Sequence, residues 1–263
     1  MKWVSVLLVC LVGSVARAED LPLEVGKFTT EFRMVGDDSS RASNVMLAAS
    51  KIDGVQVEPG EVFSYNAHVG ERSEAAGFRK AHVIINNSLQ DDWGGGACQV
   101  ASTLHAAVMG AGLQITEEHP HSIPSRYMQP GLDSTVAWPA LDFKFRNDFG
   151  RPIKIRAVTE TFKVKAGKQE LPRGRVVITL LSDRPINREV TLTFKTLKTT
   201  RNATWHVKSK AIKAGTRKVT QRGLRGQLVE RYYRVRDVDG TVRVESRRKL
   251  KFNPLPTIVL VPS

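Results

Sequence analysis

The sequence predicts an α+β protein, with one or two helices packed on a mostly antiparallel sheet, followed by a smaller all-β module. Two apolar patterns of helical period lie in the first half, and from Asp142 onward apolar and polar residues alternate as they do in half-wet strands. Charge marks the division. Residues 19–183 hold 18 Lys and Arg against 21 Asp and Glu, whereas residues 184–263 hold 20 against 5, so the net charge of +14 comes from the C-terminal third. The expected partition is a leader over 1–18, an α+β domain over 19–160 and a basic β-rich module over 161–263, with the boundary between the last two open within 159–183. No low-complexity linker separates the last two.

Lys2, the apolar stretch from Val4 to Val12 and the small-residue site Ala16-Arg17-Ala18 read as an export signal removed before Glu19. The stretch falls short of the roughly twenty apolar residues that span a bilayer, and no later segment approaches that length. Residues 20–37 read as an extended entry segment containing Phe28, Phe32 and Val35. Ser39 or Ser40 offers an N-cap for a helix to about Ile52, which Asp53-Gly54 ends. Val55–Val57 and Val62–Tyr65 read as strands around the turn Glu58-Pro59-Gly60-Glu61. Ala81–Ile85 is a further strand, and Asn86 to Asp92 a polar loop leading into Gly94-Gly95-Gly96.

After the glycines, Val100, Leu104, Ala107, Val108 and Ala111 fall at helical spacing, and Gly110-Ala111-Gly112 supplies the stop. A strand from Leu113 leads to Glu117-Glu118-His119-Pro120-His121-Ser122. Phe143 and Phe145, then Ile153 and Ile155, alternate with basic residues. Two strand-like pieces flank Ala166-Gly167-Lys168. Further strands are expected over 190–194, 205–208, 230–235 and 241–244, with Asp239-Gly240 as a hairpin turn.

Cys98 is the chemical focus. With Cys10 inside the leader, Cys98 is the only cysteine expected in the exported chain, so it cannot form an internal disulfide. Its place in the first turn of a helix, after three glycines, favours a thiolate, because unpaired N–H groups and the positive dipole end lie there. A buried inert thiol is the alternative. Six histidines could supply a base. His105 shares the face of Cys98 but stands roughly 10 Å along the axis, too far to be a direct partner, and reads as an interior or helix-surface histidine. His121 is preferred, because the helix–turn–strand path can return it to the helix start, with Ser122 or Asp133 holding its other ring nitrogen. Gly95 and Gly96 would admit a substrate backbone. Cys98 N–H and the Gln99 side chain would meet an oxyanion. The alternative for His121 is a strand-capping histidine bonded to a loop.

No metal is expected: paired cysteines and the short histidine spacing typical of structural zinc are absent, and Cys98 with His119, His121 or His105 is a weak ligand set, since His-x-His alone is a weak signal; no cofactor is expected. Asp91-Asp92 and Glu117-Glu118 are expected to form solvated faces or begin an element rather than to supply a glycosidase pair. The basic module suggests an anionic partner outside the cytoplasm, namely peptidoglycan, another anionic wall polymer or a membrane surface. The leader argues against nucleic acid. A monomeric exported protein, periplasmic, wall-associated or extracellular, is the expectation.

Several separated segments resemble the VanW family. They are Pro59-Gly60-Glu61-Val62-Phe63-Ser64-Tyr65-Asn66, Val69-Gly70-Glu71-Arg72, Gly77-Phe78, Gly94-Gly95-Gly96-Ala97-Cys98-Gln99, Ser102-Thr103-Leu104, His121-Ser122, Tyr127, Gly131-Leu132-Asp133, and Asp142-Phe143 with Arg146-Asn147. The resemblance covers about residues 42–158. The last eighty residues are similar, more weakly, to a small wall-associated β module named for its five glycines, although its usual final glycine is missing near Val261. The VanW resemblance implies L,D-transpeptidation of peptidoglycan stems, or L,D-carboxypeptidation when water accepts, with Cys98 as nucleophile, His121 as base and Asp133 as a third member serving catalysis, fold or substrate. Tyr127 and Ser122 would lie on the substrate side. A non-catalytic wall-binding or resistance-accessory protein is the other reading.

Overall fold

The structure is a computed structural model that describes residues 4–5, 23–85, 88–167 and 169–263. The leader, including Cys10, lies outside the described residues except for Val4–Ser5 (β1), which pairs antiparallel with Thr193 and Phe194. The α+β class and the mainly antiparallel pairing agree with the sequence.

The first sheet has the order β2 (Leu23–Arg33), β10 (Gln169–Ser182), β9 (Ile153–Ala166), β3 (Gln56–Val57), all antiparallel. Alternation along these strands sends Ile153, Ile155, Val176, Ile178 and Leu180 to one face. Onto it pack α1 (Ser39–Ile52), through Val45, Ala48, Ala49 and Ile52, and α3 (Ala97–Ala111), through Val100, Leu104, Ala107 and Val108. Gly26 lets α3 approach β2, since a Cβ there would stand 2.7 Å from the Ala107 carbonyl oxygen.

Only Cys98 and Gly110 of α3 are not buried. The opposite side of α3 is covered by a second core, in which Ala106 and Met109 meet Phe194, Val229, Tyr233, Val235, Leu250 and Phe252. Those partners come from β11 (Arg188–Thr200), β14 (Gly226–Asp237) and β15 (Val242–Phe252), the second sheet. The helix is therefore the middle layer between two sheets. Smaller units complete the fold. These are β4 (Val62–Ser64) with β8 (Lys144–Arg146) and β7 (Gln114–Glu117), the hairpin β5 (Lys80–Ile85) with β6 (Ser88–Trp93), and β12 (Thr204–Ser209), β16 (Thr257–Pro262) and β13 (Lys218–Gln221), where β12 and β16 run parallel.

Several expectations need correction. The polar stretch before the glycines is a strand, because β6 pairs along β5 and Lys80 Nζ sits 5.3 Å from the Trp93 ring centroid. The strand from Val62 stops at Ser64, whose hydroxyl accepts the Ala67 N–H at 3.0 Å and caps α2 (Tyr65–Val69). Helix α1 is entered from a 3-10 turn over Gly36–Asp38, with Asp38 rather than a serine at the cap. The division at 160/161 falls within β9, and both strands of the β9–β10 hairpin belong to the first sheet. The passage to the second sheet lies at 183–187.

Candidate active site

One face of α3 positions the site. Cys98, Ser102 and His105 follow at helical spacing, and each bonds a carbonyl of the loop after β7. Cys98 Sγ–H donates to Val136 O at 3.3 Å, Ser102 Oγ–H to Ser134 O at 3.1 Å, and His105 Nδ1 pairs with Leu132 O at 2.7 Å. The loop thus runs antiparallel to the helix, with alternate residues fixed. The Ser134 N–H returns a bond to Ser102 Oγ at 3.0 Å. Asp133, between two fixed residues, is directed away from α3 and toward His121.

Asp133 is buried and accepts three bonds. They come from the His121 backbone N–H at 2.7 Å, His121 Nδ1 at 2.8 Å and the Gly131 N–H at 2.8 Å. This fixes the Nδ1–H tautomer and turns the other ring nitrogen outward. His121 in turn interacts with the Cys98 side chain, and each favours the charged form of the other. Burial by itself would push the Cys98 thiol up. The His121 hydrogen bond and charge, together with the Arg72 charge, outweigh burial and hold the thiol below its ordinary range. For His121 burial disfavours the cation, yet neighbouring Tyr127 and the bonds to Asp133 and Cys98 hold it well above the ordinary imidazole value. Asp133 titrates low for the reciprocal reason, against its own burial. Both shifts run toward the charged forms, thiolate and imidazolium, at the positive end of a 15-residue helix.

The structure brings Cys98, His121 and Asp133 together and gives the other expected residues different work. Gln99 is fully buried. Its Nε2 donates to Thr30 Oγ1 at 2.9 Å and Glu31 O at 3.0 Å, and its Oε1 accepts from Arg41 Nη2 at 2.6 Å, so its side chain has no donor left for an oxyanion. Gly95 and Gly96 are required by the fold. A Cβ would stand 2.7 Å from His82 O at Gly95 and 2.9 Å from Arg41 O at Gly96, whose φ of 114° also favours glycine. Ser122 is exposed and makes no bond to His121. Its carbonyl accepts the Asn253 N–H at 2.7 Å. Tyr127 does line the site, edge-on to His121 with centroids 6.4 Å apart and its hydroxyl 3.4 Å from Ser102 Oγ.

Three side chains were not anticipated as parts of the site. Tyr65 donates its hydroxyl to Ala97 O at 2.9 Å, and the Arg72 guanidinium lies 5.5 Å from the Tyr65 ring centroid. Arg41 lies 5.8 Å from the Tyr127 centroid. Tyr65 and Arg72 fall within motifs legible in the sequence. Arg41 carried no such signal, because its partner Gln99 is 58 residues away. Asn44 holds the assembly from below, bonding Arg79 O at 2.8 Å and Gly95 O at 3.0 Å.

A second polar network lies farther along α3. Arg231 donates to both oxygens of Glu118, at 2.5 and 2.9 Å. Arg248 contacts the same carboxylate, and His105 Nε2 lies 2.8 Å from it. Glu118 is thus part of the junction between the sheets, not of the solvated face expected for Glu117-Glu118. Burial pushes its carboxyl up, but His105 and Arg231 outweigh that and hold it far below the usual range. A cavity of about 550 Å³ lies here, lined by residues that include Met109, Glu118, Arg231 and Arg248 and none of the Cys98 site. No group of three or more His, Cys, Asp or Glu among the described residues is arranged to hold a metal ion.

An α+β domain with a cysteine–histidine–carboxylate chain at a buried helix N-terminus is thus the class defined by fold and site. Residues 40–167 match the family model described as VanW like protein, so this part of the chain is a VanW-like domain. It is 38% identical over 164 residues to the uncharacterized protein YoaR of Bacillus subtilis, covering 62% of this chain and 50% of YoaR. It is 27% identical over 124 residues to the vancomycin B-type resistance protein VanW of Enterococcus faecalis, covering 45% of each. The chain spans about half the length of these curated relatives. No helix among the described residues is long and apolar enough to cross a membrane.

Proposed function

We propose that this is an exported, wall-associated cysteine acyltransferase that acts on peptidoglycan stem peptides as an L,D-transpeptidase, or as an L,D-carboxypeptidase when water is the acceptor. The observation that carries this reading is the grouping of Cys98, His121 and Asp133, in which His121 is bonded to Asp133 at 2.8 Å and interacts with the Cys98 side chain. The Cys98 thiolate attacks the carbonyl that precedes the terminal D-Ala. As the C–N bond breaks, the His121 imidazolium gives its proton to the leaving amine and a thioester remains. An acceptor amine, relieved of its proton by neutral His121, then attacks the thioester, and the C–S bond breaks to restore the thiolate. Asp133 keeps Nδ1 protonated and the ring aligned through both steps. The Ala97 and Gln99 N–H groups are taken by Gly94 O and Gly96 O, so the proposal assigns the oxyanion to the N–H of Cys98.

The basic C-terminal strands would keep the protein on an anionic wall polymer through exposed Arg201, Lys208, Lys210, Lys213, Arg217 and Lys218. A sacculus affinity that does not fall with added salt would remove this role. One observation favours a non-catalytic accessory protein instead: the Cys98 S–H is lodged against Val136 O. Incubating the full-length protein and its Cys98→Ala variant with tetrapeptide-stem muropeptides, and weighing the products by mass spectrometry, separates the two. Free D-Ala with a 3–3 dimer or a tripeptide, dependent on Cys98, is the expected outcome. Unchanged masses with equal binding by both proteins would favour the accessory reading.

A further inference from the structure

Two arginines pack on the aromatic rings of the site, Arg41 on Tyr127 and Arg72 on Tyr65, and their hydrogen bonding differs. Arg41 is committed, because its Nη2 is bonded to Gln99 Oε1 at 2.6 Å and Gln99 is itself tied to β2 through Thr30 and Glu31. Arg72 is not. Its Nη1 donates to Gly70 O at 2.9 Å, while its Nη2 is buried with no hydrogen-bond partner. A buried guanidinium N–H without an acceptor is costly, and such groups usually have a partner when the site is filled.

The surroundings hold Arg72 in place without satisfying it. The guanidinium lies on the Tyr65 ring, and Tyr65 is anchored to Ala97 O, the residue before the cysteine. Gly94, at φ 75°, leaves room for the arginine stem. A Cβ there would stand 2.5 Å from both Cβ and Cγ of Arg72. The first glycine of the triplet therefore makes space for this side chain. No carboxylate is bonded to Arg72 among the salt bridges of the described residues, whereas Arg188, Arg231 and Arg243 each have one.

We propose that Arg72 reads the free carboxylate of the leaving residue, so that the site accepts a peptide at its C-terminal end and not within the chain. This rests on the acyl-transfer reading of Cys98, since the scissile carbonyl is what would bring that carboxylate to Arg72. The carboxylate lies one residue beyond that carbonyl, roughly 3.5 Å of extended chain. A guanidinium suits it, because two parallel N–H donors match two carboxylate oxygens. Arg72 is in this sense a specificity residue. The bond-making groups remain Cys98 and His121.

The test uses the full-length Cys98→Ala protein, so that binding is read without turnover. The probe is the tetrapeptide stem L-Ala-γ-D-Glu-L-Lys-D-Ala, offered as the free acid and as its C-terminal amide, with Kd measured by isothermal titration. The acid should bind about tenfold tighter or more, as expected for a charge-assisted bond. Adding Arg72→Met should bring the two affinities together, whereas Arg72→Lys should keep part of the difference. Equal affinities, a preference that survives Arg72→Met, or no binding of either form would overturn the proposal. The acid–amide comparison requires no substitution at Arg72, so misfolding cannot imitate the result. Turnover by the Cys98 protein is scored separately. Equal turnover of acid and amide would sink the carboxylate reading and leave acyl transfer standing, whereas a carboxylate preference without any Cys98-dependent product would sink acyl transfer.

Discussion

Helix α3 has two histidine–carboxylate pairs beside it, and they end differently. His121 and Asp133 lead to Cys98, which is one of the two residues of the helix not buried. His105 and Glu118 lead to Arg231 and Arg248 on the second sheet, and Arg231 is only 4% exposed. In the first pair the carboxylate faces a histidine and two backbone N–H groups, so the positive charge it stabilises is the one left on the ring when the sulfur loses its proton. In the second, permanent guanidinium charge already neutralises the acid. The same two residue types lead to a thiol in one case and serve as a joint in the other, and the third partner makes the difference.

Breaking the joint should give the largest effect on stability. Glu118→Gln strands Arg231 as a buried charge, and the expected loss is about 3–5 kcal/mol in denaturant unfolding. Because Glu118 is held below the usual carboxylate range, its contribution is complete above that range and is lost as pH falls through the folded value. The variant should therefore have a flatter acid limb than the parent. A stability change under about 1 kcal/mol would show that the ion pairs merely offset their own desolvation.

Between the two pairs lies Ser102, which both donates to and accepts from Ser134. Ser102→Ala should cost about 1–3 kcal/mol by leaving that backbone unsatisfied. Because Asp133 is carried by the same loop, slower alkylation of Cys98 by iodoacetamide should accompany the loss. Unchanged alkylation would mean that the loop is held well enough from its other bonds.

The gentlest probe is the pH dependence of alkylation in the intact protein. With Cys98 lowered and His121 raised, the thiolate–imidazolium pair should persist from below the ordinary thiol value up to the raised imidazole value. The inflection in alkylation rate should accordingly lie below that of a free thiol. Asp133→Asn removes a charge that favours imidazolium, and it should move the inflection upward. An inflection at or above the free-thiol value in the parent would mean that burial outweighs His121. Folding follows the same signs. The Cys98 contribution is lost as pH falls through its lowered value, and that of His121 as pH rises through its raised value.

Much of this was legible in local pattern. The two long helices, the turn at Gly112 and the alternating strands follow from period and glycine placement. The choice of His121 over His105 followed from chain path and axial distance. Partners distant in sequence were not legible. Gln99 lies beside the cysteine, yet its side chain turns inward to Thr30, which nothing in the local run indicates. Glu118 reads as half of a surface acidic pair until Arg231, 113 residues away, is brought against it.

The middle-layer position of α3 also bears on how such proteins could be recombined. The VanW match ends at residue 167, before β10, yet β10 runs between β9 and β2 in the first sheet. Beyond it, Ala106 and Met109 are dry only because Phe194, Val229 and Leu250 cover them. The C-terminal third is therefore not an interchangeable cassette. A chimera bearing a foreign tail would expose an oily helix face together with Glu118, which lacks its counter-charges once β14 and β15 are gone. A lineage that exchanged this tail would have had to rewrite the outer face of α3 in the same event, while the Cys98 face could pass unchanged.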